Sequence, residues 1–256
     1  MSIAIISDIH GNLPALEAVV ADITARGITD VLNLGDHVSG PLWPRETAAL
    51  LMRYDWPSIA GNHDRMVVHD AVETLGPSDR FAREQLTPAQ HAWLAALPAT
   101  ATLPATACLP LGMYLCHGIP TDDRIYLLET PDGGRLRLAA PEQVAKRLGT
   151  ITHPFIVCGH SHIARAGQNG SSLIVNPGSV GLPAYTHTGT HAHVSETGSP
   201  LARYAIVDWA TTGYPRLEFV ALDYDIASAA ARAGANGRPD WVVALQTGYA
   251  DREGRF

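Results

Sequence analysis

The sequence of 256 residues has little cysteine and little positive charge, and each shortage excludes a class of protein. Its three cysteines, Cys108, Cys116 and Cys158, form no CxxC pair, so we expect reduced thiols in apolar strands rather than a disulfide framework. A net charge of −7 argues against sequence-independent nucleic-acid binding, which depends on Lys and Arg against phosphates. The negative charge does not exclude phosphorylated substrates, because bound metal ions can reverse the local sign of charge.

Long hydrophobic runs are also missing, which argues against a membrane protein. The apolar segments are far too short to span a bilayer. The N-terminus lacks the basic region of a signal peptide, and its apolar run IAII ends at Ser7 and Asp8. We therefore expect a cytoplasmic protein. Its composition, 46% hydrophobic and 17% charged, is that of an ordinary globular chain.

The first part of the chain predicts a βαβ unit. The run SIAIIS is typical of a strand buried on both faces, and DVLNLGD of a second strand. Between them Leu13, Leu16, Val20 and Ile23 repeat at helical spacing. This opening favours a locally parallel sheet.

The second half is rich in predicted strands and poor in helices, which fits two sheets better than one doubly wound sheet. No repeat or linker divides the chain, so we expect a single domain over residues 1–256. Residues 227–256 predict an Ala-rich helix and then a polar tail, partly disordered. The polar segment 184–200 predicts a long loop, which we interpret as a mobile surface loop, with a lid over a site as the alternative.

Five polar clusters each follow an apolar run. Because ligands gather at the carboxyl ends of strands in such sheets, we expect the clusters to meet. Their motifs are SDIHGN, LGDH, GNHD, CHG and CGHSH, and the candidate residues are Asp8, His10, Asp36, Asn62, His63, Asp64, His117, His160 and His162.

This combination of residue types points to divalent metal chemistry. Several His with two Asp and no Cys suit first-row divalent ions, and seven candidates fit two ions that share one carboxylate. Two ions about 3.5–4 Å apart can clamp the attacking and leaving oxygens of a phosphoryl group and ionise a water near neutral pH. Each cluster alone is explained as a cap or a turn, but the five together are poorly explained in that way.

The motifs resemble those of the calcineurin-like metallophosphoesterase superfamily: DxH, GD, GNH(D/E), a lone His and GHxH. The motif NPGS, Asn176 to Ser179, extends the match, and the pattern is similar to a bacterial and archaeal branch of small phosphodiesterases and phosphatases. The resemblance implies an α/β fold, a four-layer α/β/β/α sandwich of two mixed β-sheets flanked by helices.

The resemblance also implies a role for each candidate residue. Asp8, His10 and His162 would hold the first metal ion, and Asn62, His117 and His160 the second. Asp36 would bridge the two ions. His63 would protonate the leaving oxygen, and Asp64 would orient it. Two divalent ions are expected, Mn first, with Fe, Zn, Ni or Mg as alternatives.

Two residues depart from the branch pattern. His37 follows the GD motif where an apolar residue is usual, and we expect it to point into solvent rather than into the metal cleft. Ala184 stands where the branch often has an Arg, so a phosphate-binding cation is missing from that position. We expect substrate choice to depend on three loops: Val38 to Trp43, Gly118 to Thr130 and Ala184 to Pro200.

The sequence therefore predicts a metal-dependent phosphoesterase acting on a small phosphorylated substrate, a phosphodiester or a phosphomonoester. The alternatives are a dinucleoside polyphosphate hydrolase or a protein phosphatase using the same site. An inactive metal-binding scaffold is less favoured, because His63 and all seven ligand positions are retained. The sequence does not determine the oligomeric state and is compatible with a homo-oligomer.

Overall fold

A computed structural model describes residues 2–106, 109, 111–209 and 215–251. The first sheet contains the N-terminal βαβ unit and two long later strands. Strands β1 and β2 are parallel, whereas β12 pairs antiparallel with both β1 and β13. Its order is β13-β12-β1-β2, with β1 at Ser2–Ile6, β2 at Asp30–Asn33, β12 at Ala202–Trp209 and β13 at Pro215–Leu222.

The second sheet has three parallel central strands and an antiparallel strand at each edge. Its order is β3-β4-β7-β9-β8, with β3 at Thr100–Leu103, β4 at Met113–Cys116, β7 at Phe155–Val157, β8 at Arg165–Asn169 and β9 at Ser172–Asn176.

Apolar side chains from both sheets form the central core. Ile5 and Leu34, from the first sheet and the loop after it, lie in one cluster with Leu115 and Phe155 of the second. Helix α1, Leu13–Ala25, covers the outer face of the first sheet, and helix α6, Pro141–Leu148, covers that of the second. Because apolar side chains on both faces of each sheet need cover, the result is four layers. The predicted α/β/β/α sandwich of mixed sheets is confirmed.

A third, smaller sheet was not predicted. Its order is β10-β11-β6-β5, with β5 at Glu129–Asp132, β6 at Arg135–Leu138, β10 at Ala184–His187 and β11 at His193–Glu196. The expectation of one long loop over 184–200 was therefore wrong. The polar run forms a hairpin because its side chains have buried partners: Ser195 Oγ donates to the Ser161 carbonyl at 2.6 Å.

Two groups of helices flank the sheets near the motif loops. The first group packs around Val38 and contains α2 at Pro44–Leu51, α3 at Asn62–His69, α4 at Pro77–Gln85 and α5 at Pro88–Ala95. The second group contains α7, Ile226–Ala235, and α8, Pro239–Thr247. The segment expected to be a polar tail thus continues as a second helix, and residues 252–256 lie outside the described part. Within the described residues, no helix combines the length and apolar character needed to cross a membrane.

Cys116, the last residue of β4, and Cys158, directly after β7, are buried free thiols. Burial raises the pKa of Cys116 to about 12, which keeps its thiol protonated and unreactive. The third cysteine, Cys108, lies outside the described residues.

Candidate metal centre

The five motif loops meet at one edge of the two central sheets. Asp8 and His10 follow β1, Asp36 follows β2, and His117 follows β4. His160 and His162 follow β7, and Asn62 and His63 begin helix α3. The structure thus brings together all the ligand candidates, because each lies at the carboxyl end of a buried strand or at the start of the adjoining helix.

One group of three potential ligands contains Asp8, His10 and His162. A ligand atom of each lies within 4.8 Å of the others. His10 Nε2 is 3.1 Å from His162 Nε2, and His162 Nε2 is 3.3 Å from Asp8 Oδ1. These separations suit donors that share one cation.

The second group contains Asp36, His117 and His160, again within 4.8 Å of one another. His117 Nε2 is 3.2 Å from Asp36 Oδ2. The same Asp36 oxygen is 3.8 Å from His10 Nε2 of the first group. The Asp36 carboxylate of the second group therefore also faces the first group, as a ligand shared by both would.

Backbone carbonyls hold three of the imidazoles in one orientation. Each Nδ1 atom donates to a backbone carbonyl oxygen at 2.6–2.7 Å. His10 donates to Ser39, His117 to Leu34 and His162 to Leu182. With Nδ1 carrying the proton, Nε2 of each ring presents a lone pair to the centre. Such outer hydrogen bonds are typical of metal-binding histidines.

Two buried polar atoms test whether these residues fit a cation. Asn62 Oδ1 is buried without a hydrogen-bond partner among the described residues, and His117 Nε2 faces the Asp36 and Asp8 carboxylates at 3.2 and 3.8 Å. A buried unpaired polar atom costs about 1–3 kcal/mol, so Asn62 Oδ1 needs a compensating group. An N/O donor set with two carboxylates and a neutral amide suits a divalent ion at each group, and the residues present therefore fit metal ions.

The site's electrostatics also favour cation binding. Burial lowers the pKa of His10 to about 4 and that of His160 to about 3, with neighbouring imidazoles adding to the effect, so both rings are neutral ligands. Burial opposes ionisation of Asp8, but the facing His162 holds its pKa at about 2. For His117 the charge of Asp36 outweighs burial and raises the pKa to about 10, so a bound cation would displace a proton there.

The backbone is strained at these same residues. Among the described non-glycine residues, all five with positive φ are ligand candidates: Asp8 at 55°, His10 at 52°, Asp36 at 56°, His160 at 68° and His162 at 61°. A non-glycine residue in this left-handed region costs on the order of 1–3 kcal/mol. The strained backbone therefore lowers the stability of the fold, and in return it directs these side chains towards one centre.

The glycines of the GD and GNHD motifs allow the two loops to touch. Gly35 has φ +100°, and a Cβ there would collide with the backbone of Ala60 and Gly61. A Cβ on Gly61 would in turn collide with the Asp36 carboxylate and amide. Each loop needs a glycine, because the other loop occupies the space that a side chain at that position would fill.

Gly61→Ala is therefore expected to displace Asp36 and to weaken metal binding by about tenfold or more. Calorimetric titration of the metal-free protein with Mn²⁺ measures the change. Gly76→Ala is the matched control, because a Cβ there approaches Asp79 only at an ordinary 3.7 Å. Equal Mn²⁺ affinity in Gly61→Ala and the unmodified protein would contradict this role for Gly61.

The prediction that Asp64 orients His63 was wrong. The Asp64 carboxylate is fully buried and accepts from the amides of Asp36 at 2.7 Å, His37 at 3.0 Å and Gly61 at 2.9 Å. It also accepts from the His37 ring at 2.8 Å. Asp64 therefore fastens the GD loop to the GNHD loop and holds Asp36 in place.

The partner of His63 is Asp79, which the sequence analysis missed. His63 Nδ1 lies 2.7 Å from Asp79 Oδ1, and Ser39 Oγ donates to the same oxygen at 2.6 Å. Burial disfavours the charged ring, but Asp36 and Asp79 together raise the pKa of His63 to about 9. Asp79 lies in the first turn of α4, where the sequence reads as an ordinary helix start, so no local signal identified it.

His37 does not point into solvent, contrary to expectation. It is fully buried, donates from Nδ1 to the Asp64 carboxylate, and packs edge-on against Trp93 with ring centroids 5.2 Å apart. Its role is to complete the acceptor set of Asp64.

A cavity of about 580 Å³ opens over the candidate centre. All three predicted substrate loops contribute to its lining: Ser39 from the first, Arg124 and Tyr126 from the second, and residues 184–188 from the third. Tyr126 stacks on His160 at 4.7 Å and bonds to His193 Nε2 at 2.8 Å, which explains one histidine of the third loop. Arg238 and Trp241 of the C-terminal segment also line the cavity and were not predicted.

The comparison with protein families agrees with this geometry. Residues 1–198 match the family model of the calcineurin-like phosphoesterase superfamily domain. The chain belongs to this superfamily. Its phosphoesterases are metal-dependent, and the two His/Asp groups are candidate sites for the metal. The resemblance inferred from the motifs is thereby confirmed.

Individual relatives match almost the whole chain. An uncharacterised protein of Methanocaldococcus jannaschii, MJ0912, is 28% identical over 94% of this chain and 95% of its own. A metallophosphoesterase from Sphaerobacter thermophilus is 25% identical with a TM-score of 0.70, covering 96% of this chain and 98% of its own. The hypothetical protein PH1004 of Pyrococcus horikoshii has the same fold, with a TM-score of 0.72 at 19% identity over 98% and 99% of the two chains.

Proposed function

We propose that this calcineurin-like phosphoesterase holds two divalent cations and hydrolyses a small phosphodiester or phosphomonoester. The observation that carries the proposal is a pair of three-residue His/Asp groups beneath an open cavity, with Asp36 of the second group 3.8 Å from His10 of the first. No Ser or Cys nucleophile is needed for this chemistry.

The ligand assignment follows the two groups. Asp8, His10 and His162 would hold one cation, and His117 and His160 the other. Asn62 completes the second set through its buried Oδ1, and Asp36 is shared. When bound, the cations supply Lewis-acid stabilisation of the phosphoryl oxygens and make water acidic enough to react near neutral pH. We propose Mn²⁺ as the working ion, since this donor set accepts it.

His63 is the proton donor to the leaving oxygen in this proposal. Its side chain is 32% exposed and lines the cavity, whereas those of His10, His117 and His162 are at most 4% exposed. Because Nδ1 is engaged by Asp79, Nε2 is the nitrogen left for the substrate. Asp79 and Asp36 favour the protonated ring that a general acid requires.

The test is a screen of phosphomonoesters, phosphodiesters and dinucleotides against the Mn²⁺-loaded protein. We expect two Mn²⁺ per chain and turnover of bis-p-nitrophenyl phosphate. Asp36→Asn should lose metal and at least about 100-fold in rate, because it removes the shared ligand. Asp30→Asn is the control, since Asp30 is an exposed carboxylate on the strand leading to Asp36.

Two bound metal ions with no turnover of any phosphoester would contradict the proposal and favour a metal-binding scaffold. A preference for dinucleoside polyphosphates over all simple esters would instead support the alternative substrate class.

A further inference from the structure

One wall of the cavity comes from a segment beyond the matched family domain, which ends at residue 198. This C-terminal wall consists of residues on and after the start of helix α8. Its members are Arg238, Asp240, Trp241, Ala244, Ala250 and Asp251. The matched domain therefore contains all the metal-ligand candidates, whereas this wall of the cavity lies C-terminal to it.

The C-terminal wall is fastened to the loop that follows the GD motif. The Trp241 ring lies edge-on to His10 with centroids 6.2 Å apart, and its Cη2 atom would be 2.7 Å from a Cβ on Gly40. Asn236 Nδ2 donates to the Pro41 carbonyl at 2.7 Å. The wall is thus a fixed surface beside the first group of ligands, close enough for a substrate at the centre to contact it.

The apolar part of the cavity lining is shared between this wall and the hairpin strand facing it. Ala244 and Ala250 lie in one buried cluster with Trp241, and Leu182 and Ala184 belong to the same cluster. All five residues line the cavity. A polar or charged substituent would lose its water here without gaining a partner, whereas a neutral ring would gain apolar contact.

Among the described residues, each of the two arginines at the rim lies beside a carboxylate. Arg238 forms a bidentate pair with Asp240 at 3.0 and 2.8 Å and donates to Ser78 at 2.7 Å. Arg124, on the opposite side, is 67% exposed and lies 3.6 Å from Asp122. The lining also contains the carboxylates of Asp240 and Asp251, and negative charge near the cavity disfavours a second phosphate group.

We infer that the substrate is an ester of one phosphoryl group with a neutral, ring-bearing alcohol, and that its ring lies against Trp241 and Ala244. This inference rests on the function proposed above. A cavity of about 580 Å³ is within the usual range for a small-molecule ligand. Polyphosphate-linked substrates are disfavoured because the rim arginines, Arg238 and Arg124, already lie beside carboxylates.

The test uses the Mn²⁺-loaded full chain and three phosphomonoesters whose alcohols have similar acidity: benzyl, 4-carboxybenzyl and methyl phosphate. Release of inorganic phosphate is the readout. We expect kcat/KM for benzyl phosphate to exceed that for the other two by at least about tenfold. Calorimetric binding of benzylphosphonate and methylphosphonate, which are not hydrolysed, should show the same order.

Ala244→Leu should fill the space of the ring and lower kcat/KM for benzyl phosphate by about tenfold, mostly through KM, with methyl phosphate changed less than about twofold. Ala231→Leu, at an exposed position of α7, is the matched control. Should Ala244→Leu fail to fold, Thr186→Leu narrows the cavity from the opposite, half-exposed side and should act in the same direction.

The outcomes separate the two proposals. Hydrolysis of all three esters with equal kcat/KM, or an equal loss on benzyl and methyl phosphate in Ala244→Leu, would overturn the substrate class alone. Tenfold faster turnover of diadenosine tetraphosphate than of benzyl phosphate would do the same. Failure to hydrolyse any phosphoester with two Mn²⁺ bound would overturn both proposals.

Discussion

His63→Asn is expected to slow hydrolysis of alkyl phosphoesters by about 10²–10⁴-fold while both metal ions stay bound. An alkoxide leaves phosphorus poorly unless it is protonated, and His63 is the cavity-lining imidazole paired with a carboxylate. A p-nitrophenolate leaves readily without a proton, so p-nitrophenyl esters should be slowed far less. The measurements are kcat/KM for both ester types and the metal content of the purified variant.

Asp79→Asn provides the internal comparison for this prediction. It keeps the size of the side chain but removes the charge that faces His63 Nδ1 at 2.7 Å. We expect Asp79→Asn to slow alkyl esters more than p-nitrophenyl esters, as in His63→Asn. The loss in kcat/KM should be smaller than in His63→Asn, because the imidazole remains. Equal slowing of alkyl and p-nitrophenyl esters in His63→Asn would count against His63 as the acid.

Asp64→Ala should cost more than about 4 kcal/mol of the free energy of unfolding, the largest stability effect that we predict. The variant leaves three buried amides and the His37 ring without an acceptor, and each unsatisfied donor costs about 1–3 kcal/mol. Urea unfolding of the metal-free protein measures the loss directly. Metal binding should fall as well, because Asp36 is one of the residues that Asp64 holds.

Asp70→Ala is the matched control, at the end of the same helix. Its carboxylate is 37% exposed and lies 3.8 Å from Arg65 Nη1, so we expect a change below about 1 kcal/mol. If Asp64→Ala were as stable as the unmodified protein and lost activity only on alkyl esters, the structural role of Asp64 would be wrong. The role first predicted for it, orienting His63, would then be restored.

The neighbouring residues His63 and Asp64 show how much of the GNHD motif could be interpreted from the sequence. GNHD identified Asn62, His63 and Asp64 as site residues, and all three lie at the centre. The sequence order suggested that Asp64 serves His63, whereas the helix directs Asp64 inward to the GD loop and His63 outward to the cavity. Adjacent residues at a helix start point in different directions, so adjacency in the chain does not determine partnership.

The C-terminal half shows a second limit. A long loop was expected over 184–200 and a polar tail at the end of 227–256, yet these segments contain β10, β11 and α8. Their polar groups are satisfied by distant residues such as Tyr126, Ser161 and Ser78. Such compensation is invisible in a local pattern, because it depends on which segments pack together.

The sequence by itself determined most strands of the two central sheets, the polar residues that follow β1, β2, β4 and β7, and hence the superfamily and the residues that gather at the sheet edge. These features are encoded locally, in apolar runs and the residues that follow them. Only the tertiary structure decided the pairing of His63 with Asp79, the burial of His37 against Asp64, and the C-terminal wall around Trp241. Each of those contacts joins residues 16 to 231 positions apart, and only the packing of the whole chain brings them within reach.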